Sequence, residues 1–215
     1  MKGVLFTPDN IKATVEKRKT QTRRLDHLKE INQEPKEWYY VGMEYAGNSY
    51  CAHFESSKYN TTKFIKPRYQ VGEVVYLKEK WRIIGAFADS GNDFGIEYLT
   101  DASIHEVKWW RDNGNIMGYP IDEKLRSPLF MPELFARYFI KITDVRAENL
   151  GVITEEDAIK EGVSIKAVHT RGNLVISEPS YITSFSILWD SINKDYPYDS
   201  SPWVFVYSYE LVEKP

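Results

Sequence analysis

The chain has 215 residues, with 28 basic and 31 acidic side chains and a formal net charge of −3. No apolar run approaches the ~18 residues that cross a bilayer as a helix, so a soluble protein with no membrane partner is expected. With 42% hydrophobic and 14% aromatic residues there is material for a sizeable core, which excludes disordered and fibrous classes.

The single Cys51 has no internal disulfide partner. Met1-Lys2-Gly3-Val4-Leu5-Phe6 runs into Thr7-Pro8-Asp9 without a long apolar signal segment, and both features point to a reducing cytoplasm. Cys51 and the histidines His27, His53, His105 and His169 are scattered without ligand-like spacing, which speaks against a cysteine and histidine zinc site and leaves carboxylate metal sites open but unsupported; no cofactor is expected. The net charge offers no global attraction to nucleic acid, and any such binding must come from a local patch. One patch stands out: Lys17-Arg18-Lys19-Thr20-Gln21-Thr22-Arg23-Arg24 holds five cations in eight residues with no acid among them.

In chain order, Val4 to Phe6 reads as a short strand. Thr7 then suits an N-cap, Pro8 the first helical position and Asp9 the positive dipole end, with Ile11 and Val15 as the apolar stripe. From Lys19 to Arg24, polar and charged residues alternate with threonine, which predicts an extended, exposed segment. Residues 25 to 68 read as an insertion, with a hairpin turn at Gly47-Asn48. Val74 to Leu77 is a strand, and strict alternation places Val75, Leu77, Glu79 and Trp81 on one face that runs from core into a cleft.

Residues 85 to 127 read as a second, irregular insertion containing Trp109-Trp110. Tyr138 to Val145 is apolar on both faces near its start and is therefore expected to be a central strand. Thr154-Glu155-Glu156-Asp157 opens a short helix in the manner of a capping box, and Gly162 stops it. Tyr181, Ile182, Phe185, Leu188, Trp189 and Ile192 recur at helical spacing and mark an amphipathic helix. The last strand runs from Trp203 to Val212. Strands and short helices out of βαβ rhythm predict an α+β fold around a mainly antiparallel sheet or barrel, read as one domain over residues 1–215.

Lys19 and Thr22 pair a potential base with a potential hydroxyl nucleophile, and threonine needs such a neighbour to lose its proton. Residues three apart on an ideal strand point to opposite faces, so Lys19 must lie in a turn before the strand, or a bulge must intervene. Composition alone reads the segment as a solvated cationic strand. Glu161 is a second anomaly, because an acid in the last turn of a helix opposes the dipole at a cost of ~0.3 to 1 kcal/mol. Glu79, Trp81 and Trp203 suit either a base-stacking pocket or rim packing.

The run Lys17 to Arg24 resembles the G-x-K-x-x-T-x-R signature of ASCH domains, a fold related to PUA-like RNA-binding barrels, with Lys17 in the place of the glycine. Tyr69-Gln70-Val71-Gly72-Glu73-Val74-Val75-Tyr76-Leu77 is similar to that family's G-[DE]-x-[ILV] strand entry. Ile153-Thr154-Glu155-Glu156-Asp157-Ala158-Ile159-Lys160-Glu161-Gly162 resembles its helix with a terminal acid. The blocks Tyr76 to Trp81, Ser127 to Pro132, Leu188 to Asn193 and Ser201 to Val204 also resemble phage and prophage proteins often labelled morphogenetic, over nearly the whole chain.

The resemblance implies a PUA-like, mainly antiparallel β-barrel with flanking short helices. It also implies a phage or prophage protein in the bacterial cytoplasm. Small bacterial ASCH proteins include an amidohydrolase that removes the acetyl group from N4-acetylcytidine with a lysine, a threonine and a glutamate, which fall on Lys19, Thr22 and Glu161. The expected partner is then a nucleoside or modified base. The alternative is a module without catalysis that binds RNA or single-stranded nucleic acid, with Lys17, Arg18, Arg23 and Arg24 on phosphates and Glu79, Trp81 and Trp203 around bases.

Overall fold

The computed structural model describes residues 1–86, 93–108, 115–116, 119–120, 123–165 and 180–215. In chain order these form strand β1 (Gly3–Leu5), helix α1 (Pro8–Val15), and strands β2 (Gln21–Arg24), β3 (Tyr39–Ala46), β4 (Ser49–Ser56), β5 (Thr61–Ile65) and β6 (Val74–Lys78). There follow β7 (Trp81–Ala86), β8 (Asp93–Tyr98), β9 (Ile104–Lys108), the two-residue strands β10 (Asn115–Ile116) and β11 (Tyr119–Pro120), and the long strand β12 (Phe139–Asn149). Helices α2 (Glu155–Lys160) and α3 (Tyr181–Ile192) and strand β13 (Trp203–Val212) close the order. Strands dominate over a few short helices, an α+β arrangement whose described sheets are open rather than closed into the barrel that the resemblance implies. Trp109-Trp110 lies outside the described residues.

The chain divides into two compact units. The first comprises Met1–Val15, Val74–Ile140 and Leu211–Pro215. In it β1 runs parallel to β6, with Val4 opposite Leu77. The Leu77 amide donates to the Tyr138 carbonyl at the start of β12. As its composition predicts, β12 begins buried on both faces, Phe139 and Ile140 each being 1% exposed. Thr7 caps α1 through its hydroxyl, which accepts from the Asn10 amide, and Ile11 is buried. Val15, expected on the apolar stripe, is exposed instead, and Ala13 and Thr14 are buried in its place.

The segment expected to be irregular contributes β8 and β9 to an antiparallel meander, β7-β8-β9, whose first strand begins before it. Trp81 and Ile83 on β7 face Tyr98 and Ile96 on β8, and all four are fully buried beside Phe135 and Phe139. Arg82 and Glu97, the paired residues between them, point the other way and form an ion pair. Period-two alternation thus assembles the core of this unit.

The second unit comprises Glu16–Glu73 and Lys141–Glu210. Its strand order is β12-β13-β2, with β2 at the edge and antiparallel to β13. A further antiparallel sheet, β3-β4-β5, occupies most of the segment read as an insertion. Its first hairpin turns at Gly47-Asn48, where Gly47 adopts φ +64°, a conformation that glycine reaches without steric cost. α3 spans the residues its periodicity predicts, and Phe185 and Trp189 bury one face against Leu150, Ile153, Ala158, Val204 and Val206. Tyr207, on the opposite face of β13, packs edge-on against Tyr69 at 5.3 Å.

Candidate active site at the edge of strand β2

The basic segment starts with a reversal. Lys17 adopts φ +59°, in the left-handed region, and so directs the chain from the end of α1 toward β2. Arg18 stays exposed, its Nε donating to Glu16 Oε2 at 2.8 Å. Lys19 precedes the strand and pairs with Glu161 in an isolated antiparallel bridge, and the Thr20 amide donates to the Lys160 carbonyl at 2.9 Å. The expected solvated strand is therefore a buried one. Lys19 is 2%, Gln21 2%, Thr22 6% and Arg23 5% exposed, because the α2 end covers the edge that composition alone assigned to water.

Lys19 Nζ donates to the carboxylate Oε2 of Glu161 at 2.7 Å, to the carbonyl of Glu161 at 2.7 Å and to the carbonyl of Gln21 at 2.8 Å. Three acceptors match the three donors of an ammonium, whereas a neutral amine would turn a lone pair on one of them. Burial pulls the Lys19 pKa below the ordinary lysine value, against the attraction of Glu161. The arrangement also accounts for the acid at the helix end. Glu161 is the C-cap of α2, and the Lys19 ammonium binds both its carboxylate and its carbonyl, supplying the positive charge that the dipole favours there. Gly162, at φ +79°, then ends the helix.

The second oxygen of Glu161 belongs to Arg23, whose Nη1 lies 3.1 Å from Oε1. Arg23 Nη2 donates to Glu148 Oε1 at 2.8 Å and lies 3.4 Å from Asp157 Oδ2. Arg146 holds the other oxygen of Glu148 at 3.1 Å. The Gln21 amide, oriented by this network, donates to Asp157 Oδ1 at 3.1 Å and accepts from Arg146 Nη2 at 3.0 Å. Burial alone would lower the Arg23 pKa, but the three carboxylates outweigh it and raise it above the ordinary arginine value.

Thr22 follows a different face of the same strand. Arg23 stands opposite Val206, and Thr22 opposite Tyr207. Directly paired residues share a face, so the Thr22 side chain lies on the Tyr207 side and not on the α2 side. Its hydroxyl has no hydrogen-bond partner among the described residues. The Tyr209 amide donates to Thr20, so ladder alternation turns the Gln21 carbonyl toward the open edge, where Lys19 caps it. Lys19 thus reaches the peptide that leads into Thr22 but does not bond the hydroxyl.

The remaining expected site residues separate from this cluster. Arg23, expected on phosphate, has a side chain with no exposed surface and is committed to acids. Trp81, expected in a cleft, is 0% exposed, with Phe135 at 5.1 Å and Arg126 over its ring, so no face is left for a base. Glu79 is a core carboxylate of the first unit. Arg137 Nε and Nη2 donate to its two oxygens at 2.8 Å each, and the Thr100 hydroxyl adds a third bond. Trp203 packs edge-on against Phe54 at 5.2 Å and donates through Nε1 to the Pro35 carbonyl. Lys17 is exposed, and Arg24 is half-buried on the Thr22 side of β2.

Sequence reasoning missed Asp157 and Glu148 as partners of Arg23. Asp157 was legible as the residue four before Glu161, which places both acids on one helix face. Glu148 carries no local signal. Among the described residues no group of three or more His, Cys, Asp and Glu side chains is arranged to hold a metal ion, and no helix is long and apolar enough to cross a membrane. Comparison with known proteins returns no match to a family model, to a curated protein or to a solved structure.

Proposed function

We propose that the chain is an amidohydrolase of the ASCH type acting on an N4-acylated cytosine nucleoside, with Thr22 as nucleophile, Lys19 as its base and Glu161 as the acid and base at the leaving amine. One observation carries the reading: a buried lysine with a lowered pKa meets a buried glutamate 142 residues away at 2.7 Å. Perturbed, desolvated pairs of this kind concentrate where proton transfer is needed. The left-handed Lys17 adds support, since it occupies the position where the family signature has glycine, the residue suited to that backbone.

The resting arrangement holds Lys19 as an ammonium and leaves the Thr22 hydroxyl unactivated. Turnover begins when Lys19 loses one proton to solvent, releases the Gln21 carbonyl and turns its lone pair to Thr22. The Thr22 oxygen then attacks the acyl carbon as its proton passes to Lys19. The bond from carbon to N4 breaks, and Glu161 relays the proton that Lys19 took from Thr22 to the departing amine. Water hydrolyses the Thr22 ester, returning the hydroxyl and releasing the carboxylic acid.

The test is hydrolysis of N4-acetylcytidine and a panel of N4-acylated cytosines, followed by chromatography. Wild type should turn over at least one member, and Thr22→Val should not. Turnover that survives in Thr22→Val but is lost in Glu161→Gln would replace Thr22 with a water molecule as nucleophile. No turnover on any substrate by folded wild type would overturn the proposal.

A further inference from the structure

We propose that Arg23 is a positioning residue of this site: by holding Glu161 Oε1 it leaves the carboxylate a single oxygen for Lys19 and sets the pH at which Lys19 gives up its proton. The inference rests on the proposed role of Lys19 as a base. Arg23 lies outside the signature residues that the resemblance supplies, and its contact with Glu161 is what gives it this role.

Glu161 stands between two cations, with Oε2 on Lys19 at 2.7 Å and Oε1 on Arg23 at 3.1 Å. A carboxylate shared in this way stabilises the Lys19 charge less than one devoted to it, and the Arg23 guanidinium itself repels the ammonium. Arg23 is held in place from behind by Glu148 on β12 and Asp157 on α2. Its remaining donor, Nε, is buried without a hydrogen-bond partner among the described residues. The fork is thus oriented for its acids at the expense of Nε, the mark of a group fixed by electrostatics rather than by packing.

The charged groups facing Lys19 are Glu161 from the end of α2 and Arg23 and Arg24 from β2. Asp157, Glu148 and Arg146 form the layer behind Arg23. Two substitutions in this set have opposite consequences. Arg23→Gln removes a repelling cation and frees Glu161 for Lys19, so the Lys19 midpoint rises. Asp157→Asn leaves Arg23 less neutralised, so the repulsion grows and the midpoint falls. A purely structural role for Arg23 predicts no such pair of opposite shifts.

The measurement is the pH titration of the Lys19 13Cε resonance in full-length protein with 13C-labelled lysine, assigned by its loss in Lys19→Arg. Arg23→Gln is expected to raise the midpoint by about one pH unit or more, the scale of a like charge within ~6 Å. Asp157→Asn should lower it, and Arg23→Lys, which keeps the charge without the fork, should fall between wild type and Arg23→Gln. Shifts of the same sign in Arg23→Gln and Asp157→Asn, or a midpoint unchanged in folded Arg23→Gln, would overturn the inference. If Arg23→Gln does not fold, a midpoint unmoved or raised in Asp157→Asn does so. No step of the titration needs turnover, so an inactive wild type would sink the proposed hydrolase and leave the link between Arg23 and Lys19 to be decided separately.

Discussion

A lysine in the left-handed region pays a steric cost that glycine does not, of order 1–2 kcal/mol. Lys17 is such a residue, and it is exposed, so neither its charge nor its packing offsets that cost. Replacing it with glycine relieves the backbone and adds some freedom to the unfolded chain. The relief is the larger effect, so Lys17→Gly should stabilise the protein by about 0.5–1 kcal/mol, read as a higher midpoint in urea unfolding. An unchanged or lower midpoint would show that the reversal before β2 is not strained. At this scale the sequence disclosed Lys19, Thr22 and Glu161 and paired Lys19 with Thr22, whereas the structure bonds Lys19 to Glu161. Arg23 and Arg24 are adjacent and chemically alike, and only the register of β2 against β13, fixed by residues some 180 positions downstream, sends one to the acids and the other to the Thr22 side.

Short elements need support at both ends, because a helix of six residues has too few internal hydrogen bonds to hold itself. α2 has that support. At its start the Thr154 hydroxyl accepts from the Asp157 amide at 3.1 Å, and Glu155, Glu156 and Asp157 face the positive end. At its finish Lys19 binds the Glu161 carbonyl. Thr154→Ala should therefore cost about 1 kcal/mol and speed hydrogen exchange at the Asp157 and Ala158 amides, while exchange in α3 stays as in wild type. Equal acceleration in both helices would mean that the cap supports the whole unit instead. Legibility at the element scale follows the length of the pattern. α3 carries twelve residues of helical periodicity and β13 a ten-residue run of largely apolar and aromatic residues, and both were bounded as the structure has them. The meander β7-β8-β9 was not, since Gly85 and Gly95 and the polar sequence Asp89-Ser90-Gly91-Asn92 interrupt the alternating pattern; the inward set of Trp81, Ile83, Ile96 and Tyr98 becomes apparent only once β7 and β8 are paired.

Across the whole molecule, each compact unit has its own apolar cluster and its own charge network. In the first unit Arg137 stacks on Tyr98 and Tyr138, at 4.2 and 4.7 Å, and its Nη1 donates to Asp101 at 2.9 Å. Neither unit is a continuous stretch of chain. The division falls inside β12 and inside β13. Acid should weaken the charge network of the first unit through Asp101. Burial by itself would raise its pKa, but hydrogen bonds from Arg137 and Ser103 outweigh burial and hold it at about 2, below the ordinary 3.8. A depressed carboxylate contributes stability that is fully present above the unfolded value and is lost as pH falls through the folded one. The folding free energy of wild type should therefore drop between about pH 4 and pH 2. In Asp101→Asn the contribution is absent at every pH, so the variant should be less stable at neutral pH and show a shallower decline over the same interval. The two curves, from denaturant unfolding followed by circular dichroism, should converge below pH 2. Parallel curves would show that Asp101 titrates alike in the folded and unfolded chain, and that its bond to Arg137 adds nothing to the stability of either unit.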